Sequence, residues 1–416
     1  MGKHLLIDWQ AYSPTIIFIN GKYKGILNMR ERANEDYVYT NYNGLEDIDV
    51  IKNWYDLKHG SSVFFWRFVD FFSEHGHSLE EYAQWIDWSE FADIMAMNLY
   101  FNNQDFPGNN VVMWRPSDGG VFRFIAFDTD FGMGLSHYPA DYNTIEWIYD
   151  PTYDNVRVWG NEEKYTRLFR HMMEDEVFKQ VFIDRCTVYM GDFLNEHGVH
   201  NVWDKMYEDI HEELPYHQTA ADININYLEE MNYAAEWIAQ RTGYFYQQLA
   251  DFYQLGEPTT MTVNKGPLSN YTTKIETSFN DICLTNGQFD GKYYEGREFT
   301  LKASFPSNTK IEGWRITIGK PDGKKEVQET PTINITATMP DCQYLSANLL
   351  VEGQYTSGDV NGDGQLDIVD AMMLVNSIVG LSQNNFSLSG DLNKDCKVDI
   401  VDVMYMVNSI LNNSTN

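Results

Sequence analysis

Basic residues are scarce: the 416 residues hold 30 Lys and Arg against 61 Asp and Glu, a formal charge of −31. A surface of that sign repels nucleic acid and anionic membranes, so neither is an expected partner. The eight Asp and two Lys from Ser357 onward account for −6 and leave −25 on the rest, so the acidity is general. Long apolar runs are missing too. No segment approaches the roughly 20 apolar residues needed to span a bilayer, and the opening MGKHLLIDWQAYSP has no signal-peptide apolar region. Cysteine is rare. Cys186, Cys283, Cys342 and Cys396 show neither zinc-type nor redox spacing. Cys186 lies in a helical pattern, where a buried free thiol is expected. Cys283 and Cys342 fall in one strand-rich stretch, and their spacing leaves a disulfide open.

What is present divides a chain long enough for two to four domains into three parts. Residues 1–256 mix strand and helix patterns, rich in helix. Residues 257–354 alternate short strands with Thr, Asn and Gly turns, at Thr260–Val263, Phe299–Phe305, Ile311–Ile318 and Ile333–Ala337, which predicts an all-β sandwich. It carries no catalytic constellation. A spacer role is expected for it, with Trp314 as an alternative carbohydrate contact. Residues 355–416 form an all-α pair of helices, each preceded by an acidic loop.

The stretch with the most chemistry is NQDFPGNNVVMWRPSDGGVFRFIAFDTDFG, Asn103 to Gly132. Asn109–Trp114 and Val121–Phe127 read as strands, and Arg115–Gly120 between them as a turn. Folding there brings Asp128 and Asp130 back beside the Gln104–Asn110 loop. Side chains facing each other in such a ladder have Cβ atoms roughly 5 Å apart, so Asp105, Asn110 and Asp128 are expected in one pocket. Clustered carboxylates repel unless a hard cation sits among them, and an oxygen-rich set suits magnesium or manganese. Asp105 and Asn110 are five residues apart and Asp128 follows after a hairpin. That is the protein-kinase order of catalytic Asp, metal-binding Asn and metal-binding Asp on ATP. A literal Asp130-Phe131-Gly132 is present, but no HRD precedes Asp105, and a surface loop of Asp and Asn turns is the plainer alternative.

Upstream, Thr15–Ile19 and Tyr23–Met29 predict a hairpin joined by Asn20-Gly21. Lys24, Arg30, Arg32 and Lys52 are candidates for holding phosphate, or ordinary surface charges, and Glu31 can pair with one of them. Ser78 with Glu81 and Asp87 with Glu90 fit capping boxes. The second of these helices, with Phe91, Ile94, Met95 and Leu99 on one face, should fix the Asp105 loop from below. Ser136–Gly160 reads as a long loop, and Tyr165–Tyr253 as helices in which His217 is structural.

Residues Gln10 to Tyr253 resemble the CotH family of secreted and spore-coat atypical protein kinases. The likeness rests on FINGKYKGILNMRERANEDYV (Phe18–Val38), NNQDFPGNN, VFRFIAFDTDFG and LFRHMMEDEVFKQVF (Leu168–Phe182). It implies Asp105 as the catalytic Asp and Asp128 as the metal-binding Asp. Asn110 and Asp130 become adjoining metal or orienting groups, with ATP and Mg2+ as cofactors and a protein hydroxyl as acceptor. It also implies that Met1 is an internal start, with a leader and part of the nucleotide lobe lying upstream. A kinase-like fold without catalysis, in a structural or adhesion component, is the rival expectation.

The C-terminal part contains a repeat of 32 residues: DVNGDGQLDIVD from Asp359 returns as DLNKDCKVDIVD from Asp391. Asp359, Asn361, Asp363, Gln365, Asp367 and Asp370 occupy positions 1, 3, 5, 7, 9 and 12 of a calcium loop; Asp391, Asn393, Asp395, Lys397, Asp399 and Asp402 do so again, position 7 serving through its carbonyl. Cys396 replaces the sharp-turn glycine of the second loop, which should weaken that site. One apolar helix after each loop resembles the type I dockerin. That resemblance implies calcium, and a cohesin partner met by Ile368, Val369, Ile400 and Val401, docking the protein onto an extracellular scaffold as in a cellulosome.

Overall fold

The computed structural model describes residues 5–135, 138–153, 159–221, 226–264, 266, 273–276, 281–284, 288–303, 310–332, 334–352, 356–381, 390–393 and 397–413. The chain divides into two compact units, residues 1–186 with 194–248, and residues 187–193 with 249–416.

The strands of the first unit are β1 (Asp8–Trp9), β2 (Tyr12–Ile19), β3 (Lys22–Arg30), β4 (Ile48–Lys52), β5 (Asp56–His59), β6 (Val111–Pro116) and β7 (Arg123–Ala126). Five of them make one sheet in the order β1-β7-β6-β4-β5, while β2 and β3 form a separate ribbon. The ribbon turns at Asn20 (φ 51) and Gly21 (φ 74), the left-handed pair that the Asn-Gly dipeptide supplies. Its His217 contact is structural, as expected: the ring Nδ1 accepts the Ile26 N–H at 3.0 Å. Helices in chain order are α1 (Glu35–Asn41), α2 (Val63–Phe72), α3 (Leu79–Tyr82), α4 (Trp88–Tyr100), α5 (Thr144–Tyr149), α6 (Glu163–Met172), α7 (Glu176–Asp192), α8 (Glu196–Glu208), α9 (Leu214–Ala221) and α10 (Tyr227–Tyr253). Of these, α1, α2 and the pair β4–β5 lie where the sequence offered no clear signal. The expected loop 136–160 also contains a helix, α5. Asn143 caps it by accepting the Ile145 and Glu146 N–H groups, and Trp147 is buried in it.

Two cores hold the sheet in place. On one side Tyr37 and Val38 of α1 meet Ile48, Val50, Val112, Trp114 and Ile125. Elsewhere α4 carries Phe91 against Phe124 of β7, ring centroids 5.4 Å apart. Every residue of α4 from Glu90 to Tyr100 is buried, so it is a central helix and not the one-faced helix that the apolar spacing predicts. The Ser78–Glu81 capping box forms as expected. At α4 only half of one forms. Asp87 accepts the Ser89 and Glu90 N–H groups, but the Glu90 carboxylate turns inward to accept from Arg123 and from the Phe124 N–H at 3.1 Å. Because Glu90 is buried and its partner is the strand carrying the site, Glu90→Ala should strand the Arg123 charge and cost about 3–5 kcal/mol of stability in denaturant titration.

The second unit contains β8 (Pro258–Asn264), β9 (Thr273–Glu276), β10 (Asp281–Leu284), β11 (Gln288–Tyr294), β12 (Glu298–Ala303), β13 (Lys310–Gly319), β14 (Lys325–Thr330), β15 (Ile335–Thr338) and β16 (Tyr344–Glu352). They pair as two sheets, β10-β9-β12-β15 and β11-β8-β16-β13-β14. Trp314 on β13 is fully buried, which rules it out as a carbohydrate contact: its face of the strand belongs to the core. Cys342 is a buried free thiol, so it does not pair with Cys283; Cys186 is a buried free thiol as expected. Beyond the strands come α11 (Ile368–Ile378) and α12 (Ile400–Asn413), packed through Val360, Ala371, Leu374, Val403 and Met406. Among the described residues no helix is long and apolar enough to cross a membrane.

Candidate functional site

The antiparallel register of β6 and β7 pairs Val111 with Ala126 and Trp114 with Arg123. Continued toward the open end, it brings Asn110 and Asp128 together at the root of the hairpin, and the Pro116–Gly120 turn lies at the far end. One amide nitrogen joins the parts. Asn110 Nδ2 donates to Asp105 Oδ2 at 3.0 Å and to the Asp128 carbonyl at 3.1 Å. Asn109 Nδ2 donates to the same Asp105 oxygen at 3.3 Å. Asn110 (φ 57) and Asp128 (φ 51) are both left-handed, a conformation that Asn and Asp tolerate better than other side chains.

The Asp105 carboxyl is pushed above the usual aspartate range, first by burial and then by the negative charges of Asp130 and Asp128; the Asn109 and Asn110 amides oppose the shift. Asp105 therefore senses both other acids. Asp128 is half-buried and Asp130 exposed. The acidic side chains here offer only oxygen donors, the kind a hard divalent cation prefers, though the three carboxylates are not gathered within 4.8 Å of one another.

A relay of asparagines, which sequence reasoning did not single out, fixes the loop. Asn98 on α4 donates to the Ile94 carbonyl and accepts from Asn103 at 2.7 Å, and Asn103 Oδ1 accepts the Asp105 N–H at 3.2 Å. Asn53, after β4, donates to Asn109 Oδ1 at 2.7 Å and accepts the Val111 N–H. The density of Asn in NNQDFPGNN was the available signal, since an amide can donate to one loop segment and accept from another. Two glycines let backbones approach: a side chain on Gly160 would meet the Gln104 carbonyl, and one on Gly132 the Phe101 carbonyl at 3.0 Å. The Asp130-Phe131-Gly132 segment is also tied to the end of α4 by Met133 N–H donating to Phe101 O at 2.7 Å.

A cation within the field of Asp128 is Lys52, at the end of β4. Its Nζ lies 4.0 Å from the Phe127 ring centroid. Its pKa is lowered by burial first and by Lys58 next, while Asp128 pulls the other way; Arg32 also lies within its field. Lys24 and Arg30 are exposed on the ribbon, and no described contact joins them to the acids. Glu31 accepts the Ala11 N–H and Asn41 Nδ2 instead of pairing with a cation. Beside Asp130 opens a cavity of about 570 Å³ whose apolar wall includes Phe101, Met133, Trp203, Met206 and Tyr233.

The CotH kinase protein family model matches residues 1–245. The chain belongs to the CotH family. The type I dockerin model matches residues 357–413, so this CotH protein carries a calcium-binding module whose partner class is the cohesin. No curated protein matches the chain.

The dockerin geometry repeats as its sequence does. In the first loop Asp359 is 4% exposed and accepts the Gly362, Asp363 and Gly364 N–H groups, and Asp370, fully buried, accepts those of Val360, Asn361 and Asp367. In the second loop Asp402 takes the Leu392, Asn393 and Asp399 N–H groups in the equivalent places. Burial raises the Asp370 pKa most, with the Asp359 charge adding to it. Asp395 and Cys396 lie outside the described residues. Ile368, Val369, Ile400 and Val401 are 59%, 46%, 58% and 39% exposed, so they do not serve the helix–helix core.

Proposed function

We propose that the CotH module transfers the γ-phosphoryl group of ATP to a protein hydroxyl, and that the dockerin holds it on a cohesin-bearing extracellular scaffold. The observation that carries the catalytic reading is the single Asn110 amide touching both the Asp105 carboxylate and the Asp128 backbone, with the Asp105 carboxyl perturbed by Asp128 and Asp130. In this reading Asp105 orients the acceptor hydroxyl and takes its proton; its raised pKa makes it a stronger base than an ordinary aspartate. The hydroxyl oxygen forms the new bond to phosphorus as the bond to the ADP oxygen breaks. Asp128, with Asn110 Oδ1 and Asp130, would hold Mg2+ or Mn2+, which when bound neutralises the phosphate oxygens. In this reading Lys52, with Arg32, would meet phosphate, supported by the field of Asp128 and Arg32 on Lys52; Lys24 and Arg30, exposed on the ribbon, are the other candidates. The apolar cavity beside Asp130 gives an acceptor side chain a place to lodge. The 257–354 segment, read as a sandwich, is a spacer.

Asp128→Ala should reduce magnesium-dependent ATP turnover or autophosphorylation by about 10²-fold or more, while circular dichroism stays that of the parent. Full activity in that variant would overturn the role given to Asp128, whereas a parent chain that neither binds nor turns over magnesium-ATP would favour the non-catalytic, structural class. Lys52→Ala should raise the KM for ATP, whereas Lys24→Ala should not.

For the dockerin, Ile368, Val369, Ile400 and Val401 form the cohesin-facing surface of this proposal. Two exposed apolar pairs at equivalent places on repeated helices are what a partner face requires.

A further inference from the structure

A second group of metal-ligand side chains lies in the CotH module, outside the acidic site. His75, His171 and Glu174 each offer one ligand atom, and these atoms lie within 4.8 Å of one another. His171 is the last-turn residue of α6, 5% exposed, and its Nδ1 meets two backbone carbonyls, Phe72 O at 2.8 Å and Glu74 O at 3.1 Å. A carbonyl accepts only, so Nδ1 carries the proton and Nε2 is left with a free lone pair. That is the arrangement by which proteins orient a metal-binding imidazole: the non-ligating nitrogen donates to a backbone carbonyl. The His75 ring stands over it, centroids 3.8 Å apart, and His75 Nδ1 lies 2.7 Å from Glu174 Oε1. The other Glu174 oxygen accepts the Gly76 N–H at 3.3 Å.

The two chain segments are already fastened around this group. The Glu174 N–H bonds back to the His171 carbonyl, and Leu79 N–H donates to Asp175 Oδ2 at 3.0 Å; Asp175 in turn caps α7 through the Val177 and Phe178 N–H groups. His77 is used otherwise, bonded to the Phe71 carbonyl and stacked on the Phe71 ring. An ordinary ion pair would need only His75 and Glu174. It would not call for a third ligand-type side chain, the buried His171, within 4.8 Å of them.

We propose that His75, His171 and Glu174 bind a borderline divalent transition ion, zinc in the first instance, as a clip between the turn after α2 and the end of α6. Two imidazole nitrogens and one carboxylate oxygen are a common zinc donor set, with a fourth place for water. Ligand distances near 2.0–2.2 Å ask the group to contract by roughly an ångström. His75 and Glu174, on the surface, can move; His171 is held. The ion closes a long loop of chain, so it should act on stability and not on chemistry.

The test is zinc titration of the untagged full chain, with calcium saturating the dockerin loops, against a chromophoric chelator. The expected result is one tightly bound zinc, with affinity falling about tenfold or more in His75→Ala and in Glu174→Gln and unchanged in Asp128→Ala. Both substituted residues are at the surface, so folding is retained, and circular dichroism verifies it. Cobalt(II) as a probe should give the visible bands of a four-coordinate site in the parent and lose them in His75→Ala. Failure of the parent to take zinc from the chelator would overturn the proposal. So would zinc binding that survives both surface substitutions or that depends on Asp128.

Discussion

Replacing Asp359 and Asp391 together by Asn should abolish calcium binding in residues 357–413 and, with it, capture by a cohesin. Each Asp opens a loop, and Asp359 accepts three backbone N–H groups from the turn that follows. Asn keeps one acceptor oxygen and loses the charge, so it removes the cation's anchor while disturbing the turn less than Ala. Calcium that binds only the folded loops stabilises them by about 2.7 kcal/mol at one hundred times its Kd, and this support is lost in the double variant. The loops are not expected to contribute equally. Glycine at position six is present in the first, as Gly364, and replaced in the second by Cys396, so Asp359→Asn alone should cost more calcium affinity than Asp391→Asn alone. Calorimetric titration and a cohesin pull-down check both statements. Capture that persists in excess chelator would break the link between calcium and docking.

What could be read from the sequence was what depends on neighbours in the chain. The dockerin loops are twelve-residue devices, and the ribbon turn rests on two residues. The β6–β7 hairpin needs only a strand pattern on either side of a turn, so the meeting of Asn110 with Asp128 followed from counting. Where the outcome depended on a distant element, the sequence was silent or misleading. Lys52 comes within the field of Asp128 because β4 pairs with β6, Lys52 opposite Val112, across about sixty residues of chain. Nothing local distinguishes it from Lys24. Trp314 looked available for a ligand because a strand's inner face cannot be told from its outer face until its partners are known; here Leu349 of β16 and Thr330 of β14 flank it. Glu90 fitted a capping box by spacing, but the half-buried Arg123 on β7 offered its carboxylate a stronger partner. The helix α4 carries Asp93 and Asn98 among its apolar residues, which reads as an exposed face. Both are buried, Asp93 against Arg185 at 2.6 Å and Asn98 in the relay to Asp105.

Arg241 is the position where substitution should do most damage to the CotH module. On an amphipathic helix a lone Arg reads as a surface charge, but its side chain is fully buried. Burial pulls its pKa down to about 9, still well above neutrality, so the guanidinium stays charged. Its donors are spent on the Leu99 and Tyr100 carbonyls at the end of α4, on the Ala140 and Tyr142 carbonyls, and on Thr144 Oγ1 at the start of α5. The carbonyls at a helix C-terminus carry partial negative charge, so the cation caps α4 where that helix hands the chain to Asn102 and the Asp105 loop. Arg241→Met keeps the volume but takes the donor from the Tyr100 and Ala140 carbonyls, while the Leu99 and Tyr142 carbonyls still accept from Thr144 Oγ1 and Gln248 Nε2; each carbonyl left unsatisfied costs about 1–3 kcal/mol. The expected result is a loss of at least about 3 kcal/mol in denaturant titration. In whatever fraction remains folded, the proposed phosphoryl transfer should be weakened, because the anchor of the loop is gone. Arg241→Lys should recover only part of the stability, since an ammonium has three donors and no planar fork to span two helix ends and a loop. If Arg241→Met instead matched the parent in stability, the five contacts would be incidental and the Asp105 loop would have to be held by the asparagine relay alone.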